Sequence, residues 1–351
     1  MSKEVSLDDI VSLCKRRGFV FQGSEVYGGL SGTWDYGPLG VALKRNIMNL
    51  WWQTFVDSRD DMFGVDAAIL MNQKVWQASG HVDTFTDPLV ECSNCKSRFR
   101  EDQIDTKKCP NCGKTDTFGE ARQFNMMFQT QIGPTQHDIN IEVNDEGEKG
   151  NLASNESLVY LRPETAQGIF TNFKNVVDSF YPDLPFGIAQ MGKAFRNEIS
   201  PRDFVFRSRE FEQMEIEYFV HADNWEKEFE KWVKDIENFL KQLGLSDDSY
   251  EKVEVPDANR AHYSKRTIDF ELDFPHGRDE LLGLAYRTDF DLTNIQKNSG
   301  KSMEYTVKGT TEKFVPHVIE PSFGVERTIM AVLTSAYTED EVNDEKRIYL
   351  K

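Results

Sequence analysis

Two groups of residues in this 351-residue chain have the types and spacing that chemistry requires. The first lies in FRNEISPRDFVFRSREFEQMEIEYF, residues 195–219, which alternates like a hairpin yet carries Arg196, Glu198, Arg207, Arg209, Glu215 and Glu217. Period-2 alternation puts Ala194, Arg196 and Glu198 on one face of the first strand, and Phe211, Gln213, Glu215 and Glu217 on one face of the second. Met214, Ile216 and Tyr218 take the opposite face and fix the register, because a one-residue slip would bury the carboxylates. Phe211 and Glu215 are four residues apart, roughly 13 Å at strand rise, about the distance from a nucleotide base to a group joined to its α-phosphate. The intervening ISPRDFVF, with Pro201 and further arginine, reads as an anion-binding loop. A solvated charged face is the competing reading of this stretch.

The second group is Cys92-x2-Cys95 and Cys109-x2-Cys112, thirteen residues apart, with Pro110 and Gly113 shaping the second turn. Paired thiolates of this form suit a tetrahedral structural Zn²⁺ that leaves no position open for substrate. Redox Cys-x2-Cys pairs are not normally doubled. Gly113-Lys114-Thr115 imitates the end of a phosphate-binding P-loop, but position 108 is lysine where that loop needs glycine. The fifth cysteine, Cys14, reads as a buried thiol. His81, His262 and His317 have no spacing that suggests metal or nucleophile chemistry and are expected to be structural; no Ser/His/Asp set is visible.

The elements that must position these groups follow from periodicity and punctuation. LDDIVSLCKRRG is a short amphipathic helix ended by Gly18. Pro38 and Gly40 introduce a long helix with Leu43, Ile47, Leu50, Trp51, Thr54 and Phe55 at helical spacing, and its two adjacent tryptophans suggest a subunit contact beyond the core face. Residues 90–120 lose apolar content and gain charge around the cysteines, as an inserted module would. A helix with Trp225 and Trp232, a second strand-rich block from Thr267 to Leu292, and a strand running into a helix at Gly324 complete the order. Strands outnumber the crossover helices that a parallel sheet requires, so the fold expected is α+β, a mainly antiparallel sheet with flanking helices.

Composition bounds the partners. Forty-one Lys and Arg against 59 Asp and Glu give a net charge of -18, which argues against sequence-independent wrapping of nucleic acid but allows a local basic patch. Lys15, Arg16 and Arg17 form one such patch; Lys96, Arg98, Arg100, Lys107 and Lys108 form another. No apolar run approaches membrane-spanning length, and MSKEVSLDDI has no targeting pattern, so a cytoplasmic protein without a membrane partner is expected.

FRNE followed by RSREF matches motif 2 of the class II aminoacyl-tRNA synthetases, GPLGVALKRNIMNLWW resembles motif 1, and EPSFGVERTIMAVL resembles motif 3, in the required order. With WDYGPLG, LRPETAQGIF, RQFNMMF and FEQMEIEYF, nearly the whole chain resembles the catalytic domain of the homodimeric type of glycyl-tRNA synthetase. The resemblance implies the class II catalytic fold over 1–351 with a small zinc-ribbon-like insertion, and a C-terminal anticodon-binding domain that is absent from this chain. It implies ATP-dependent activation of glycine to glycyl-adenylate and its transfer to the acceptor end of tRNA(Gly). A non-catalytic paralogue serving as a tRNA- or nucleotide-binding module is the alternative. The nearer rivals, synthetases for serine, threonine, proline or histidine, are disfavoured by LRPETAQG and EPSFG.

The resemblance also assigns residues. Arg196 would hold the α-phosphate, Glu198 read the adenine amino group, Phe211 stack under adenine with Arg327 above it, and Arg207 reach the γ-phosphate. Glu280 would carry Mg²⁺ between phosphates, and Arg196 and Glu280 would be the catalytic pair. Asn197, Phe206, Leu281, Gly324 and Glu326 complete the ATP set. For glycine the ligands implied are Glu164, Glu215, Glu320 and Ser322 around the ammonium, with Phe211, Gln213 and Gly324 beside them and Arg100 facing the carboxylate. Self-repulsion in that carboxyl cluster implies that part of its charge stays protonated or waits for the substrate ammonium. His276, Arg278 and Asp279 stand where the family more often has aromatic residues and glycine.

Overall fold

The computed structural model describes residues 5–132, 158–343 and 345–351. The first four residues, part of the segment searched for a targeting pattern, lie outside them. No described helix is long and apolar enough to cross a membrane.

Helix α1 (Leu7–Arg17) is started by a capping box between Ser6 and Asp9 and stopped by Gly18 at φ 73°. It buries Ile10, Leu13 and Cys14, so the fifth cysteine is the buried thiol expected. Helix α2 (Pro38–Trp52) opens with Pro38 in its first turn and runs on as a π-helical turn, Gln53–Asp57. At its start a Cβ on Gly40 would lie 1.9 Å from the Phe19 carbonyl oxygen, a contact that only glycine permits. Strand β1 (Met62–Gly64) follows. Beyond the cysteine region come α3 (Ala166–Phe180), β2 (Phe186–Phe195), β3 (Glu210–Val220) and α4 (Trp225–Gln242). Then come β4 (Tyr250–Glu254), β5 (Arg266–Phe274), β6 (Gly277–Thr288), α5 (Phe290–Ser299), β7 (His317–Gly324) and α6 (Val325–Ala336).

The seven strands form one sheet in the order β4-β5-β6-β7-β3-β2-β1, antiparallel throughout except where β1 runs parallel to β2. That is the mainly antiparallel sheet expected, and helices cover both its faces. Met214, Ile216 and Tyr218 pack with Trp51, Phe55, Trp232, Phe239 and Ile329, residues of α2 and its continuation, α4 and α6. On the other face Ile188 and Phe219 pack with Phe170, Phe173 and Leu292 of α3 and α5. Both tryptophans of α2 are used within the chain. Trp51 is fully buried, and Trp52 lies so close to Gly64 that a Cβ there would approach its ring to 2.6 Å.

Two sequence expectations need correction. A slip was expected to bury the hairpin carboxylates, yet Glu215 and Glu217 are buried already, at 2% and 0% exposed. The face they occupy is roofed by α3 and α5, which single-strand alternation does not reveal. Arg196 and Glu198 do not extend β2 as ladder residues either. The strand ends at Phe195, one further backbone bond joins Arg196 N–H to the Arg209 carbonyl at 2.9 Å, and Glu198 lies in the loop.

Candidate active site and cysteine cluster

The hairpin pairs Ala194 with Phe211, Gly192 with Gln213 and Gln190 with Glu215. Across β3's other edge, β7 sets Ser322 beside Glu215 and Gly324 beside Gln213. Every residue assigned to ATP except Asn197 lines one open cleft, together with Gln213 and Ser322. Asn197 instead donates its backbone N–H to the Met126 carbonyl at 2.8 Å, tying the loop to the segment after the cysteine region.

At one end of this cleft the Arg196 guanidinium sits between two rings, 5.2 Å from the Phe211 centroid and 5.4 Å from that of Phe85, while its Nε donates to the Pro163 carbonyl at 3.1 Å. Arg327 lies over Phe206 at 4.6 Å and donates to the Glu280 carbonyl at 2.8 Å and carboxylate at 3.0 Å. Arg207 reaches Asp279 at 3.5 Å. Burial raises the Asp279 carboxyl, but His276 Nε2 at 3.8 Å, the bond from the Glu280 N–H and the charges of Arg207 and Arg327 outweigh it and hold it at about 2. Asp279 thus stands between His276 and Arg207 on this wall. Glu326 accepts from the Glu212 N–H at 2.9 Å and from Tyr36, and burial lifts it to about 7.

At the Glu215 end the buried carboxyls are held by hydrogen bonds. Glu215 accepts from Ser322 at 2.7 Å and Gln213 at 2.9 Å through one oxygen, and from the Thr165 N–H at 3.1 Å and its hydroxyl through the other. Glu164 meets His81 Nε2 at 3.3 Å. Burial would raise Glu164, but His81, Arg287 and Arg196 overcome it and hold the carboxyl down at about 2. Gln167 joins Glu164 to Asp291, and Arg287 grips Asp291 through two nitrogens at 2.8 and 2.9 Å and Glu320 at 2.7 Å. Burial pushes Glu320 up to about 8 against the pull of Arg287, with Glu215 and Glu164 adding to the rise.

Glu215 and Ser322 thus share one set of hydrogen bonds, and Glu164 and Glu320 share another through Gln167, Asp291 and Arg287. The adjacent residues Glu164 and Thr165 bring the two sets side by side in one carboxyl cluster. Arg100 is not part of it: its guanidinium is held by Asp87 at 2.9 Å and Asp102 at 2.8 Å. Sequence reasoning missed His81, which was expected to be structural and instead touches Glu164. It also missed Thr165 and Gln167, inside the quoted RPETAQG, and Arg287 with Asp291. For the last two the signal was RTDFDL, whose arginine and aspartate four apart bridge the end of β6 and the start of α5.

The four paired cysteines converge, with their sulfurs all within 4.8 Å of one another. Cys92 to Cys112 is 3.8 Å and Cys95 to Cys109 is 3.7 Å. Four sulfurs at about 2.3 Å from a tetrahedral zinc would be about 3.8 Å apart, so the donor set fits that ion. A three-stranded sheet, Thr86–Glu91 with Arg98–Arg100 and Arg122–Asn125, carries the cluster, reaching beyond the 90–120 span that composition marks. Gly113-Lys114-Thr115 forms the cysteine turn, with the Lys114 carbonyl accepting from the Cys109 N–H at 2.9 Å, and no helix follows as a P-loop requires.

A mainly antiparallel sheet with helices on both faces, carrying an arginine-rich nucleotide cleft beside a buried carboxyl cluster, defines a class II aminoacyl-tRNA synthetase core. A family model described as the tRNA synthetase class II core domain (G, H, P, S and T) matches residues 150–336. The fold is similar to that of Giardia lamblia prolyl-tRNA synthetase in complex with prolyl-adenylate, with a TM-score of 0.62 at 14% identity over 94% of this chain and 53% of that one. Within the class, the chain is 46% identical to the glycine-tRNA ligase of Malacoplasma penetrans over 100% of its own length and 78% of that protein. It is 48% identical to that of Borreliella burgdorferi, over 99% and 75%. The chain belongs to the glycine-tRNA ligase family.

Proposed function

We infer that the chain activates glycine with ATP to form glycyl-adenylate and transfers the glycyl group to the 3′ end of tRNA(Gly). The observation that carries this reading is the pairing on one hairpin of an arginine and phenylalanine nucleotide end with a buried carboxyl end suited to a substrate that offers only its ammonium as a handle. In the first step a glycine carboxylate oxygen attacks the α-phosphorus of ATP in line, the bond to the bridging oxygen breaks, and pyrophosphate leaves. The carboxylate is already ionised, so no general base is needed. Arg196 neutralises charge gathering on the α-phosphoryl oxygens, Arg207 holds the leaving phosphates, and Phe211 bears the adenine. Glu280 would hold Mg²⁺, which supplies further positive charge to the phosphates. Glu164, Glu215, Glu320 and Ser322 orient the ammonium. The terminal ribose hydroxyl of the tRNA then attacks the glycyl carbonyl and AMP leaves.

Cys92, Cys95, Cys109 and Cys112 would hold a structural Zn²⁺, with the basic residues of their module available to tRNA. A homodimer and a cytoplasmic setting belong to the same reading. Family membership leaves the non-catalytic alternative without support. ATP-pyrophosphate exchange with each of the twenty amino acids, with Mg²⁺ and without tRNA, tests it. Exchange with glycine alone is expected; exchange with another amino acid, or none from folded protein, would sink the assignment.

A further inference from the structure

The site leaves one buried group unused. Glu217 follows Glu215 by two residues on β3, so both side chains leave the same face of the sheet. It is wholly buried, and neither of its carboxyl oxygens has a hydrogen-bond partner among the described residues. Glu215, by contrast, has both oxygens occupied. On β2 the position opposite Glu217 is the apolar Ile188. The charged groups bearing on it are Glu320 of β7, Arg287 of β6, Glu215 of its own strand and Asp291 of α5. Arg287 spends its nitrogens on Asp291 and Glu320. An ionised carboxylate with no donor, closed off from water and beside other carboxyls, is not sustained.

We propose that Glu217 is a positioning residue of the amino-acid subsite, holding a proton while the subsite is empty and releasing it when the substrate ammonium enters. The inference rests on the glycine-activating reading. One proton passes from the Glu217 carboxyl to solvent, the ammonium keeps all three of its own, and the charge inside the pocket is unchanged. The exchange explains how a cluster of carboxyls around one guanidinium can stand empty and still attract a cation. Burial acts in the same direction, with Glu320 adding to it and Arg287 opposing, and drives the Glu217 carboxyl well above the ordinary range.

Calorimetry of a sulfamoyl-linked glycyl-adenylate analogue, in two buffers of different ionisation heat just below neutral pH, tests this on the intact chain. The wild type is expected to release about one proton per analogue bound, and its Kd to fall by up to about tenfold for each unit rise in pH. The same analogue without its amino group is expected to release none. In Glu217→Gln, which keeps the shape of the protonated acid, release should drop by about one proton relative to the wild type and the pH dependence should weaken accordingly. Zero release by the wild type, or undiminished release by the variant, overturns the proposal. Should the variant not fold, infrared difference spectra of the wild type decide, since binding must remove a protonated-carboxyl absorption and an unchanged band overturns the assignment. Failure of the analogue to bind at all would instead overturn the glycine-activating reading beneath it.

Discussion

Arg196 is poised before any phosphate arrives, because the Pro163 carbonyl and the rings of Phe211 and Phe85 already fix its guanidinium. Arg196→Ala is therefore expected to slow adenylate formation by about two to three orders of magnitude, the scale of removing one preorganised donor to a charged transition state. Glycine affinity should fall less; equal loss of both, measured by exchange and calorimetry, would count against the phosphate role. His81→Ala removes the main partner of Glu164. The KM for glycine should rise while that for ATP stays near its original value, and the defect should deepen at acid pH as Glu164 protonates more readily. The shared face of Phe211 and Glu215 was legible from alternation, while Arg196 and Ser322 were legible only from their motifs. His81, Arg287 and the solitary burial of Glu217 were not, since each depends on helices that arrive from distant parts of the chain.

At the scale of elements, the hairpin was readable to within a residue or so, but its roof was not. Period-2 alternation reports which side chains share a face and is silent on whether helices cover that face. Punctuation did better, as the capping box and Gly18 at the ends of α1 and the Pro38 start of α2 show. Gly40→Ala is expected to destabilise by about 1–3 kcal/mol or more, since the added methyl meets backbone rather than a side chain that can swing aside. Urea unfolding measures it, and an unchanged midpoint would contradict the close approach. Cys109→Ser should lower both zinc content and melting temperature before it affects exchange. Full metal occupancy in that variant would exclude the four-sulfur site.

For the molecule as a whole, the buried carboxyls set a pH dependence of stability with a definite sign. Glu320 and Glu326 ordinarily titrate at 4.5 and are raised to about 8 and about 7 in the folded chain. A raised carboxyl contributes stability that is fully present below its unfolded value and is lost as pH climbs through its folded one. Melting temperature of the ligand-free protein should therefore decline across the window from about 4.5 to about 8, most steeply near its middle and less steeply as the folded carboxyls ionise, and a flat profile would contradict the buried network.

The loop that carries Arg207 has a further consequence. Asp203 and Phe204 are both left-handed, at φ 60° and 58°, and Phe204 is held there by burial against Trp34 at 4.7 Å. Arg209 adds bonds from its backbone N–H to the Gly32 carbonyl and from its side chain to that of Ser31, both at 2.7 Å. The phosphate loop thus leans on the segment that leads directly into α2. If two chains join through α2, a shift of that helix has a route to the loop of each chain through these contacts, and coupling between the two sites is expected. Saturation with ATP would then depart from a simple hyperbola, with a Hill coefficient different from unity, and a variant held as monomer would return to hyperbolic behaviour.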